Sequence, residues 1–77
     1  MTITVKFFSS LRENLGRSSE TVNLSDVQTV SDVWIKATDG AQLPENVLIA
    51  VNMDYVELGY VVQDGDEVAF FPPVTGG

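Results

Sequence analysis

Hydrophobic and polar residues alternate from the first residues of the chain. In "TITVKFF", Ile3, Val5 and Phe7 fall on one face and Thr2, Thr4 and Lys6 on the other, the two-residue period of a half-buried strand. "SSLRENLG" follows, in which Ser10 and Glu13 have capping-box spacing and Gly16 is placed to end a short helix. Residues 20–24, "ETVNL", alternate again, with Val22 and Leu24 inward. At Thr29 the period becomes helical. Thr29 and Asp32 have the spacing of a second capping box, Val30, Val33, Trp34 and Ala37 fall at i, i+3, i+4 and i+7, and Gly40 ends the segment. Trp34 lies on that apolar stripe and reads as core, not as a ligand platform. After "LPEN", the nearly continuous apolar run "VLIAVN" predicts a central strand buried on both faces. "MDYVELGYVV" predicts a short strand or two, broken by Gly59. "QDGDE" reads as a tight turn with Gly65 at positive φ. "DEVAFF" is the last strand, with Val68 and Phe70 opposite Ala69 and Phe71, and Pro72 stops further ladder pairing.

The order is strand, strand, helix, then several strands, with one substantial helix to cover one face of a sheet. That pattern predicts an α+β domain of the β-grasp kind, a mixed curved sheet holding one main helix, with a short second helix beside it. A chain of 77 residues accommodates a single domain. We expect residues 1–71 to form it and residues 72–77 to leave it as an extended tail.

Composition narrows the function classes. Hydrophobic content of 44% with 19% charged residues is that of a soluble globular protein. Cysteine is absent, so neither a disulfide framework nor a thiolate zinc site is available, as befits a reducing interior. No apolar run approaches the roughly 20 residues of a membrane span, and "MTITVKFF" lacks the basic, cleavable character of a leader, so a cytoplasmic location is expected. Four Lys and Arg against eleven Asp and Glu give a net charge of −7. Lys6, Arg12, Arg17 and Lys36 are too few and too scattered to neutralise a nucleic-acid backbone. The acidic surface either steers the protein to a basic protein partner or serves solubility alone.

Histidine is absent as well as cysteine, which removes the usual neutral-pH base and the best protein nucleophile together. Ser9, Ser10, Ser18, Ser19, Ser25 and Ser31 have no histidine to activate them, and no Gly-rich loop precedes a helix. Asp64, Asp66 and Glu67 lie close in sequence but read as a turn, because a metal site there needs further converging oxygen ligands. No self-contained active site, bound cofactor or metal site is expected.

The stretch "FFPPVTGG" is different. Pro72 and Pro73 stiffen the exit from the last strand into a polyproline-like rod, and Val74 and Thr75 favour extended backbone. At about 3.1 Å per residue, residues 72–77 reach just under roughly 20 Å, far enough to enter a neighbour's pocket. No charge resists desolvation between residues 70 and 77, and Gly76 and Gly77 have no Cβ, so they thread a narrow channel. The chemistry that suits is done by another protein on the carboxylate of Gly77. A free carboxylate is a poor electrophile, so activation is needed, most simply as an acyl-adenylate.

Over essentially its whole length the sequence resembles the small subunits of molybdopterin synthase, ubiquitin-like β-grasp sulfur carriers related in fold to the thiamin-pathway carrier. The resemblance is carried by "KFFSSLRENLG", "IAVNMDYVE", "DGDEVAFFPP" and above all "FFPPVTGG". Thiamin carriers and ubiquitin-like modifiers share the final diglycine but usually lack the double proline. "TDGAQLPEN" is a shorter link than many members have. The resemblance implies that the Gly77 carboxylate is adenylated by an ATP-dependent activating enzyme like those that charge ubiquitin, and is then converted to a thiocarboxylate. It implies a heterotetramer with a large subunit whose pocket receives Val74, Thr75, Gly76 and Gly77. There the sulfur passes to cyclic pyranopterin monophosphate, and two donations build the dithiolene of molybdopterin. ATP is used by the activating enzyme, and the basic and nucleophilic groups belong to the large subunit. Phe71, Pro72 and Pro73 join the partner contact. Phe70 reads as core, while for Phe71 core packing and docking both stand. Two further readings are a carrier for thiamin or tRNA thiolation and a ubiquitin-like modifier linked to lysines.

Overall fold

A computed structural model describes residues 1–72 of the protein. Five strands form one sheet: β1 (Thr2–Phe7), β2 (Ser19–Asn23), β3 (Leu48–Val51), β4 (Asp54–Tyr55) and β5 (Glu67–Phe71). Their order is β2-β1-β5-β3-β4. The sheet is mixed, because β1 and β5 run parallel at its centre, with Val5 beside Val68 and Phe7 beside Phe70, while every other pairing is antiparallel. The helix α1 (Ser9–Leu15) follows β1 directly, and α2 (Val30–Thr38) lies across one face. This is the expected β-grasp arrangement.

Period-two patterning explains the core. Ile3, Val5 and Phe7 of β1, Val22 of β2, Ile49 and Val51 of β3, and Val68 and Phe70 of β5 are all buried. Against them α2 lays Val30, Val33, Trp34 and Ala37, the four positions of its helical stripe. Trp34 meets Phe70 edge to face at 5.0 Å and Phe7 at 5.9 Å, while its indole N–H donates to the Ala41 carbonyl at 2.8 Å. A buried indole needs that acceptor, and the link after α2 supplies it.

The start of α2 follows the sequence closely. Thr29 is the N-cap, its side chain accepts from the Asp32 N–H, and the Asp32 carboxylate accepts from the N–H groups of Gln28 and Thr29 at 3.0 and 3.1 Å. Those backbone donors, Thr29 first, hold the Asp32 carboxyl below its ordinary pKa. The end differs by one residue: Asp39 already takes the left-handed conformation (φ 56°), ahead of Gly40.

Other elements depart further. The capping box expected from Ser10 does not form, since the N-cap lies two residues earlier, at Phe8, with no side-chain cap. The Phe8 N–H is instead bound to the Phe70 carbonyl at 3.1 Å, so the sheet sets where the helix starts. Gly16 ends it as expected, at φ 72°. Leu24 falls outside β2, in a 3-10 turn over Leu24–Asp26. Among the described residues, β3 is covered by a helix on one face alone: Ile49 and Val51 face α2, but Ala50 lies on the other side and is buried because it is small and has larger neighbours. Between β4 and β5, Val61 makes an isolated bridge to Thr29.

Candidate functional site

The sheet face away from α2 is the chemically unusual surface. Cross-strand register brings Lys6 beside Ala69, Ala69 beside Ala50, and Ala50 beside Tyr55. Alternation puts Phe71 two residues beyond Ala69 on the same side. The two alanines leave a floor with little side-chain volume, while Phe8, Tyr55, Phe71 and Met53 stand around it. The result is a cup of about 420 Å³, rimmed on one side by Lys6 and Glu67. Phe71 is the hinge of the aromatic wall, edge-on to Phe8 and to Tyr55 at 6.0 Å each. The Lys6–Glu67 pair, 2.8 Å apart and nearly half-exposed on both sides, neutralises the rim without contributing much stability.

The apolar groups around this cup are open to water. Phe8 is 44% exposed, Tyr55 72% and Met53 92%. Large apolar side chains gathered on one face mark an interaction surface more than a folding requirement.

Two of the residues selected from the sequence as core or contact positions lie on opposite faces of β5. Phe70 is fully buried and belongs to the core. Phe71 is half-buried on the opposite face, within the cup, and Pro72 follows it directly. Pro73, Val74, Thr75, Gly76 and Gly77 lie outside the described residues. Phe8, Met53 and Tyr55 escaped the sequence reading. The signal was present for Tyr55, since a tight turn after Val51 places it opposite Ala50.

The acidic turn 64–67 has a structural occupation for each carboxylate. Asp66 accepts from the Gln63 N–H at 2.8 Å and the Asn52 amide at 2.9 Å, Asp64 accepts from the Thr2 N–H at 3.1 Å, and Glu67 pairs with Lys6. Among the described residues, no group of three or more histidine, cysteine, aspartate or glutamate side chains converges on a metal position. A second cleft, of about 340 Å³, lies between β2 and α2, and most of its charges are paired: Arg17 binds Glu20 and the Ala37 carbonyl, and Lys36 lies 3.8 Å from Asp26. No helix among the described residues is long and apolar enough to cross a membrane.

The arrangement therefore offers an apolar cup on the strand that leads into "PPVTGG". The profile of the ThiS family matches residues 5–77. The chain belongs to the ThiS family. Molybdopterin synthase sulfur carrier subunit of Escherichia coli K12 is 41% identical to it, the match covering 97% of this chain and 99% of that one. The protein of the same name from Haemophilus influenzae is 34% identical, with 97% and 99% covered. Among solved structures, SAMP1 from Haloferax volcanii superposes with a TM-score of 0.79 at 29% identity, covering both chains completely. These relatives agree with the ubiquitin-like β-grasp fold of a sulfur-carrier family.

Proposed function

We propose that this protein is the sulfur carrier of molybdenum cofactor biosynthesis, the small subunit of molybdopterin synthase. The observation that carries the reading is the 41% identity to the Escherichia coli carrier subunit over 97% of the chain. The cup gives it a physical basis, since β5 contributes Phe71 to the docking wall and leads straight into Pro72.

On this reading the Gly77 carboxylate attacks the α-phosphate of ATP held by a separate activating enzyme, and pyrophosphate leaves. A sulfur nucleophile then forms a C–S bond at the acyl carbon as AMP departs, which yields the thiocarboxylate. The protein docks on the large subunit through the cup, and Pro73, Val74, Thr75, Gly76 and Gly77 enter the partner's pocket. Sulfur bonds to a carbon of cyclic pyranopterin monophosphate, water takes its place on the acyl carbon, and the carboxylate returns for another cycle. The carrier supplies no acid or base and is not an enzyme on its own. It works in the cytoplasm, where ATP is available, within a heterotetramer.

A ubiquitin-like modifier is the second reading, favoured by the likeness to SAMP1, a small archaeal modifier protein. Reconstitution separates the two. Charged carrier, large subunit and pterin precursor together yield the dithiolene product, and removal of Gly77 abolishes it while the fold persists. Product formation without Gly77 would refute the carrier role. Amide-linked conjugates with no dithiolene would favour the modifier.

A further inference from the structure

The hairpin joining β3 to β4 has a two-residue loop, Asn52-Met53, between the paired residues Val51 and Asp54. Both loop residues have positive φ, 50° for Asn52 and 74° for Met53, as a type I′ turn demands. Asparagine tolerates that region, and here the fold rewards it. The Asn52 side chain accepts from the Glu67 N–H at 3.0 Å and donates to Asp66 at 2.9 Å, while its own N–H reaches the Glu67 carbonyl at 2.9 Å. Asn52 thus bolts the hairpin to β5, and its conformation has an internal cause.

Met53 has none. The second position of such a turn favours glycine, and methionine there bears the steric strain of a left-handed backbone. Its side chain is 92% exposed, so packing within the domain offsets nothing. An unbranched apolar group held out in water, at the rim of an apolar cup, on a backbone that disfavours it, is unexplained by stability. Strain of this kind is kept where the displayed side chain is used.

We propose that Met53 is a docking anchor: its thioether enters a dry apolar pocket of the protein that takes hold of the tail, completing the seal around the cup. This rests on the reading of the cup as the docking face. The occupant is the large subunit whose pocket receives the residues beyond Pro72 on that reading, because Phe71 both lines the cup and precedes Pro72. Methionine suits such a contact, since its flexible, polarizable chain fills an irregular apolar pocket.

The test measures melting temperature and affinity for the large subunit of molybdopterin synthase in full-length variants. Met53→Gly relieves the turn and is expected to melt about 5 °C higher, yet to bind about tenfold more weakly, because the buried thioether is lost. Met53→Asn, which tolerates the turn but is polar, is expected to bind equally weakly. Met53→Leu keeps the apolar bulk and is expected to stay within about threefold of wild type. Tyr55→Ala checks the face itself, at a residue exposed enough to leave folding intact. If Tyr55→Ala weakens binding while Met53→Gly and Met53→Asn bind normally, the anchor is wrong and the docking face stands. If none of these variants changes affinity, the docking face fails and the anchor with it. A Met53→Gly protein that melts no higher overturns the strain argument.

Discussion

Replacing Asn52 tests how the β3–β4 hairpin is held against the strand that carries Phe71. Asn52→Ala removes two side-chain hydrogen bonds and leaves the left-handed conformation in place. The bond to Asp66 engages a carboxylate that is only 8% exposed, so its loss costs more than a neutral surface bond would. The bond from the Glu67 N–H lies in a more exposed setting and contributes less. Together they are worth about 2 kcal/mol, and alanine at a φ of 50° adds roughly 1 kcal/mol of strain. The expected loss is about 3 kcal/mol. Asn52→Gly separates the two parts: it loses the same bonds but accepts the backbone, and should cost roughly 1 kcal/mol less. Urea unfolding with a common slope reads both values, and the melting temperature of Asn52→Ala should drop by about 15 °C. A loss under about 1 kcal/mol for Asn52→Ala, or equal losses for the two variants, would refute the reasoning. The cup would then depend on something other than this clamp.

Trp34→Ala should destabilise by about 4 kcal/mol, since it empties the space against the stacked rings of Phe7 and Phe70 and orphans the Ala41 carbonyl, and calorimetry would register the loss. Asp32 sets a pH-dependent contribution. Backbone N–H donors hold its folded carboxyl below the ordinary aspartate pKa, so the stabilisation is fully present above that ordinary value and is lost as pH falls through the folded pKa. Asp32→Asn should therefore flatten the acid limb of the stability–pH curve, and an unchanged limb in acid titration followed by circular dichroism would contradict the capping role.

Much of the fold was legible because local and tertiary demands agree. Thr29 and Asp32 form their box, Val30, Val33, Trp34 and Ala37 all turn inward, and Gly65 takes the positive φ that a tight turn needs (84°). Readings failed where a distant partner overrode local spacing. Ser10 has a cap's spacing, but the Phe8 N–H is claimed by the Phe70 carbonyl, a contact that no local pattern reveals. Ala50 reads like its apolar neighbours, yet its face meets no second layer, and only the register with Ala69 and Tyr55 makes it the floor of a cup. Phe70 and Phe71 were separable by alternation alone into two faces. What stands beside Phe71 depended on the hairpin and on α1, which bring Tyr55 and Phe8 to it from positions far away in sequence. The tail motif is contiguous in sequence, and its residues beyond Pro72 lie outside the described ones.

Sulfur carriage by Gly77 is tested most directly by the intact mass of the protein. After incubation with the activating enzyme, ATP and a sulfur source, the expected result is a gain equal to replacing one oxygen by sulfur, absent when Gly77 is deleted. An unchanged mass, with the same enzyme shown to charge another carrier, would contradict it.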